Sequence, residues 1–205
     1  MTPELRLAGP TDADLVASIH AQAFVHDPVM SWVFREPGRS RKLEAVWGFL
    51  AREALVPLGA TFLLGHSSCA AWTPPGSPAW PSERAARFQA LLDDACTPED
   101  VRRLGVLDET LGAHHPDEPV WYLGSIATLP DAHGRGYGRR LIEATLAVVD
   151  GDGLPAYLEA TSLRSAPLYE RHGFRPVEPI ELPRGPTLVA MQRRPPPACA
   201  QRPSA

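Results

Sequence analysis

The chain has 205 residues, 44% hydrophobic and 21% charged, enough for one buried domain and close to the globular average, so general disorder, collagen and coiled coil are excluded. A formal charge of −4 speaks against broad binding to nucleic acid or to an anionic membrane, which needs a basic surface. Cys69, Cys96 and Cys199 are odd in number and in no CxxC pair, so neither a disulfide framework nor a metal site is expected, and a reducing, cytoplasmic setting is.

In chain order, Leu5 and Leu7 alternate with Glu4 and Arg6 as in a short strand, and Thr11 with Asp14 three residues on predicts an N-cap for a helix over 12–24. The charges at Glu4, Arg6, Asp12 and Asp14 break the apolar run that a secretory signal needs. Asp27-Pro28 opens a second helical stretch, and Leu43, Val46, Trp47 and Leu50 give the i, i+3, i+4, i+7 stripe of a helix over 39–56, ended by Pro57 and Gly59. The runs 61–64 and 69–73, separated by Gly65-His66-Ser67-Ser68, predict a hairpin. The uncharged stretch 54–82 is broken by proline and glycine and does not supply about 20 apolar residues for a membrane span.

Helices are predicted over 83–95 and 98–111, the second capped by Thr97 with Asp100, and they form an insert between strands. A buried strand over 120–129, a helix over 138–149, a strand over 156–160 and a helix over 166–172 stopped by Gly173 follow. Strands over 174–181 and 187–191 close a single α/β domain, 1–191, and 192–205 is expected to be a disordered tail.

The most informative stretch runs from Ser125 to Ile142: strand, proline, glycine-rich turn, helix. Gly134, Gly136 and Gly138 permit a tight turn and leave backbone N–H groups uncovered at a helix N-terminus, an anion cradle. Arg135, Arg139 and Arg140 reinforce this reading, because cations in a helix's first turn oppose the macrodipole by about 0.3–1 kcal/mol each and serve no purpose in the fold alone. A Walker loop is excluded for lack of the lysine, and the GxGxxG pattern fails at Arg139. What remains is a pyrophosphate held by a GxGxG turn.

His133-Gly-Arg-Gly-Tyr-Gly138 resembles the acyl-coenzyme A loop of the GNAT superfamily of N-acetyltransferases, with His133 where the pattern has Gln or Arg. Tyr157-Leu-Glu-Ala160 and Pro167-Leu-Tyr-Glu-Arg-His-Gly-Phe174 continue the resemblance. Residues 114–123, Ala71-Trp-Thr-Pro74 and Gly185 to Met191 are similar to the puromycin N-acetyltransferases and their relatives. The resemblance implies a mixed, mostly antiparallel sheet flanked by helices and splayed at its central strand, and direct transfer of acetyl from acetyl-CoA to the primary amine of a small molecule.

The resemblance also implies the site. Ile126, Ala127 and Thr128 would present backbone groups to the cofactor arm and thioester, a backbone N–H there stabilising the oxyanion. His133, Gly134, Arg135, Gly136, Tyr137, Gly138 and Arg139 would hold its phosphates, and Ser165 stands where relatives carry a cofactor-touching asparagine. Tyr169 is the candidate general acid. Glu159, a carboxylate in an apolar strand, and His114, with an ordinary pKa near 6.5, are the candidate bases. Adjacent His115 reads as a solvated loop residue. His26 and Asp27 could face the acceptor, though Asp27 before Pro28 is equally an N-cap. The alternatives left open are a non-catalytic acyl-CoA-binding regulatory module and an acetyltransferase for protein amines.

Overall fold

The computed structural model describes residues 3–163 and 165–195. The N-terminal half runs β1 (Leu5–Leu7), α1 (Ala13–Ala23), α2 (Pro28–Val33), α3 (Arg39–Leu50), β2 (Thr61–Leu64) and β3 (Ser68–Thr73). The helical insert α4 (Ser82–Ala95) and α5 (Pro98–His114) leads to β4 (Trp121–Thr128), α6 (Tyr137–Val149), β5 (Ala156–Ala160), α7 (Ala166–Glu170), β6 (Arg175–Glu181) and β7 (Thr187–Arg193). This is the expected α/β fold, and every expected helix and strand is present. Among the described residues no helix is long and apolar enough to cross a membrane.

The strands form one seven-stranded sheet in the order β1-β2-β3-β4-β5-β7-β6, antiparallel throughout except for β4 beside β5. That parallel junction is short: Trp121 pairs with Ala156 and Tyr122 with Tyr157. On its other side β4 pairs with β3 as far as Thr128. One edge of the β4 backbone beyond Tyr122 is therefore free of the sheet, so its polar groups must find partners elsewhere.

Burial follows from the period-2 alternation of the strands. Leu123, Leu158, Ala160 and Met191 face α6 and α7, where Leu141, Ile142, Leu146 and Phe174 complete one core. On the opposite face Tyr157, Leu188 and Ala190 pack with Trp32, Phe34 and Leu43 under α2, α3 and α5. A third cluster, with Val16, Ile19, Leu63 and Cys69, seats α1 on β2, β3 and β4. Prolines 176 and 179 lie in β6, the sheet edge, where a missing N–H leaves no partner unmet.

Several boundaries depart from expectation, among them the end of α3, which gives way after Leu50 to a π-helical stretch over Ala51–Leu55. Thr11 is not the cap of α1: it lies in a 3₁₀ turn, and the helix starts after Asp12, whose carboxylate accepts from Gly9 N (2.9 Å) and from the Arg6 guanidinium (2.6 and 2.7 Å). α5 continues to His114, three residues past the expected end. Gln192 and Arg193 belong to β7 and not to a tail, held by pairing with β5 and by an Arg193–Asp150 ion pair; residues 196–205, with Cys199, lie outside the described residues.

Candidate active site

A cavity of about 490 Å³ opens beside β4 where it parts from β5. From one end, Thr128, His133, Gly138, Ser165, Leu168 and Tyr169 line it; from the other, Phe24, Met30, Trp47, Leu107, Leu111 and Leu188 do. Between them lie Asp27, Tyr122, Ser125, Ile126, Glu159 and Thr161.

The glycine turn at the first end has the geometry its sequence demands. Gly134 and Gly136 are left-handed, with φ of 75° and 74°, and a Cβ added at either would meet nothing within 4 Å, so the space above the turn is open. Gly136 caps α6, and the following backbone N–H groups are without partners in their own helix. Arg135 and Arg139 are exposed there, with Glu143 3.4 Å from Arg139. Arg140 does not contribute to this patch, because its guanidinium donates to the Pro3 carbonyl at 3.0 Å. The His133 ring donates through Nε2 to the Thr128 carbonyl (2.9 Å), tying the turn to the end of β4. Ser165 spends its hydroxyl on the Ser162 carbonyl at 2.8 Å.

Tyr169 on α7 and Glu159 on β5 both reach the cavity. Burial, reinforced by the nearby Asp27 carboxylate, pushes the Tyr169 phenol up to about 12, so it keeps its proton at neutral pH. Glu159 is also raised: burial outweighs the hydrogen bond that its Oε2 accepts from the Tyr122 hydroxyl at 2.8 Å. Its Oε1 is buried without a hydrogen-bond partner among the described residues.

His114 is not brought to this cavity. The extension of α5 turns its ring back so that Nδ1 donates to the Thr110 carbonyl at 2.8 Å, and its own carbonyl accepts from Tyr157. His115 is the exposed loop residue expected, and its ring also lies edge-on to Tyr122 and Tyr157 at 5.4 and 5.3 Å, on the side of Glu159.

His26 and Asp27 line the cavity, and Asp27 is also the N-cap of α2. Its Oδ1 accepts from Val29 N and Met30 N at 2.9 Å, and its Oδ2 from the Thr161 hydroxyl at 2.8 Å. Burial raises its pKa against those three bonds.

Sequence reasoning missed Tyr122, Thr161 and the pair Ser125–His20. His20 is fully buried on α1, its Nδ1 2.8 Å from the Val16 carbonyl and its Nε2 2.8 Å from Ser125 Oγ. The one local signal was a polar serine inside an apolar strand.

A model of the acetyltransferase (GNAT) family matches residues 68–174, just over half of the chain. The chain belongs to the GNAT acetyltransferase family. An uncharacterized N-acetyltransferase of Schizosaccharomyces pombe is 37% identical over 76 residues, which are 37% of this chain and 31% of the yeast protein, so the likeness spans about a third of each. Among solved structures, one from Corynebacterium glutamicum, described as histone acetyltransferase HPA2 and related acetyltransferase, superposes with a TM-score of 0.73 at 26% identity, covering 96% of this chain and 98% of the other. The polyamine N-acetyltransferase of Drosophila melanogaster superposes at 0.62 with 15% identity, covering 93% and 99%, and shares the GNAT fold. The cavity thus opens in a GNAT sheet, beside the strand that leads into the glycine turn.

Proposed function

We propose that this chain transfers the acetyl group of acetyl-CoA directly to the primary amine of a small molecule. The observation that carries this reading is the continuity of the cavity, one space running from the glycine turn past Tyr169 to Glu159 and an apolar far end. The residues fit the donor: the open cradle over Gly134 and Gly136 suits a phosphate group, and the unpaired edge of β4 suits an amide-bearing arm. When bound, acetyl-CoA supplies the acetyl group as a thioester.

In this reading Ile126, Ala127 and Thr128 offer backbone groups to that arm. Gly134, Arg135, Gly136, Tyr137, Gly138 and Arg139 hold the phosphates, while His133 fixes the turn and Ser165 flanks it. Glu159, held above the usual carboxylate range, takes the proton of the incoming amine. Tyr169, which lines the same cavity and keeps its proton at neutral pH, would serve as the proton donor when the thioester is bound. With its pKa pushed up to about 12, the phenol would be a hydrogen-bond donor first and would give up its proton only to a strongly basic partner. His114, outside the cavity, has no part in the chemistry.

A cytoplasmic setting belongs to the same reading, supported by the free thiols of Cys69 and Cys96. The likeness of 114–123 and 185–191 to the puromycin N-acetyltransferases places puromycin in the set of amines to be tested. The test is calorimetric binding of acetyl-CoA, followed by release of free thiol over that set. Binding with thiol release, lost in Tyr169→Phe while binding persists, is the expected result. An absence of acetyl-CoA binding overturns the reading.

A further inference from the structure

The proposed transfer to an amine uses neither Ser125 nor His20, yet the two side chains meet at the wall of the cavity. Ala23 and Phe24, at the end of α1, and residues 125–128 of β4 all line it, so the hydrogen bond that joins α1 to β4 lies along that wall. His20 is fully buried, while Ser125 keeps 8% of its surface and is itself a lining residue. An irregularity in the sheet turns the serine to this face: Trp72 pairs with Leu123 and Ala71 with Ser125, so Gly124 is passed over. Leu123 therefore lies in the core under α6, and Ser125 points to α1, where Ala127 also packs.

The pair has the parts of an activated nucleophile. The Val16 carbonyl, 2.8 Å from Nδ1, can only accept, so it fixes the ring proton of His20 on that nitrogen. Burial lowers the ring's pKa to about 4, which leaves Nε2 unprotonated at neutral pH, and the Ser125 hydroxyl donates to it at 2.8 Å. A nucleophile, its base and a third group that sets the base's tautomer are thus all present, as attack by a serine oxygen requires. Cys69 is the rival nucleophile, with Sγ 3.4 Å from Nδ1, but it is fully buried, burial pushes its thiol up, and its nearest ring nitrogen already carries the proton. The edge of β4 that is free beyond Tyr122 supplies backbone groups next to Ser125, where an N–H can hold the oxygen of a carbonyl under attack.

We propose that Ser125 is a nucleophile with His20 as its base, and that the cavity carries a second activity, hydrolysis of acetyl thioesters and activated acetyl esters through an acetyl-Ser125 intermediate. Ser125 Oγ bonds to the acyl carbon as its proton passes to His20 Nε2; the carbon–sulfur bond breaks, or the carbon–oxygen bond of an ester, and the departing atom takes that proton. Water then bonds to the same carbon and gives a proton to Nε2, and the Oγ–carbon bond breaks as that proton returns to Oγ, which releases acetic acid and restores the pair. A base of pKa about 4 is weak, so the activity is slow. The proposal rests on the acetyltransferase reading for acetyl-CoA as the acyl source, though not for the reactivity of Ser125.

The experiment uses the full chain with 4-nitrophenyl acetate, without amine or coenzyme A, follows nitrophenolate release and maps acetyl groups by mass spectrometry after an acid quench. Nitrophenolate is the better leaving group, so acylation outruns deacylation and the intermediate accumulates. Sustained release at least about tenfold faster than in Ser125→Ala is expected, with acetyl on the peptide that contains Ser125. The chain's one lysine, Lys42, is buried against Asp100 and does not compete for the label. No acetyl on Ser125, release unchanged in Ser125→Ala, or an acetyl-Ser125 that water does not remove overturns the proposal. Should the variant fail to fold, the position of the acetyl group on the unaltered chain decides. A parallel run with acetyl-CoA separates the two readings: ester hydrolysis at Ser125 without binding of acetyl-CoA leaves the serine activity standing and overturns the transferase. Acetyl-CoA bound and spent on an amine, with no acetyl on Ser125 from either donor, leaves the transferase standing and overturns this proposal.

Discussion

Glu159 is subject to two opposed influences. Burial favours its neutral form, the Tyr122 hydroxyl favours its charged form, and burial prevails. In its proposed role as base Glu159 must be deprotonated to act, so kcat/KM is expected to fall with acid about a midpoint above the ordinary glutamate value near 4.3. Glu159→Gln should remove that acid limb and lower turnover by about 10²–10⁴, read from the full pH profile; a limb of unchanged position in the variant would assign the base elsewhere. The same shift has a cost in stability. A carboxyl whose pKa is higher folded than unfolded loses stability as pH rises from its unfolded value through its folded one, so at neutral pH Glu159→Gln should unfold at a higher temperature than the parent. That Glu159 and Tyr169 line one cavity was legible in the sequence, because a charge in an apolar strand and a tyrosine ahead of Gly-Phe stand out locally. Ser125 and His20 were not, being 105 residues apart and joined only by the packing of α1 on β4. His114 could not be placed from the sequence: a histidine does precede the central strand, but one more helical turn takes its ring to the Thr110 carbonyl and leaves His115 against the tyrosines.

At the scale of elements, the start of α5 is an anchor as well as a cap. Thr97 and Asp100 form a reciprocal capping box, and the Asp100 carboxylate also meets Lys42 Nζ at 2.8 Å and Arg35 N at 3.2 Å, which fastens the insert to α3. Asp100 is 2% exposed and Lys42 8%. Burial alone would raise the Asp100 pKa, but the bonds from Lys42, Thr97 and Arg35 outweigh it and hold the group below its usual value. Lys42→Met strips a buried carboxylate of its cation and is expected to cost about 3–5 kcal/mol, toward the lower end because Thr97 and Arg35 remain; the urea midpoint measures it. The sign of the pH effect follows from the depressed pKa: this stabilisation is present above the unfolded value near 3.9 and is lost as pH falls through the folded one, and the variant should show less of that loss. Two of the chain's Thr-x-x-Asp segments, at Thr11 and Thr97, show what local pattern can tell. Thr97 caps as its pattern predicts, since Pro98 starts the helix and nothing competes for Asp100 from outside the box except groups that reinforce it. Thr11 does not, because Arg6 captures Asp12 through two short bonds, holds it to about 2, and moves the helix start along the chain.

For the whole molecule, the decisive feature is that its sheet is joined at the middle by two residue pairs only. β1 to β4 with α1 and α3 form one side, β5 to β7 with α7 form the other, and the cavity lies where they part. A ligand spanning that gap, from the α6 turn to the β4 edge, adds contacts to both sides of the weakest seam. Acetyl-CoA at about a hundred times its dissociation constant should therefore stabilise the fold by about 2.7 kcal/mol, which for a chain of this size raises Tm by roughly 5–10 °C. Gly136→Val tests whether that gain depends on the glycine turn. Valine is branched where the backbone is left-handed, at φ 74°, and its side chain would project into the open space above α6 that a phosphate needs. The variant is expected to lose the acetyl-CoA shift altogether while its unliganded circular dichroism stays native, with Tm lowered by a few degrees from backbone strain. A ligand-induced shift as large in Gly136→Val as in the parent would mean that the turn never touches the ligand and that the stabilisation comes from elsewhere along the seam.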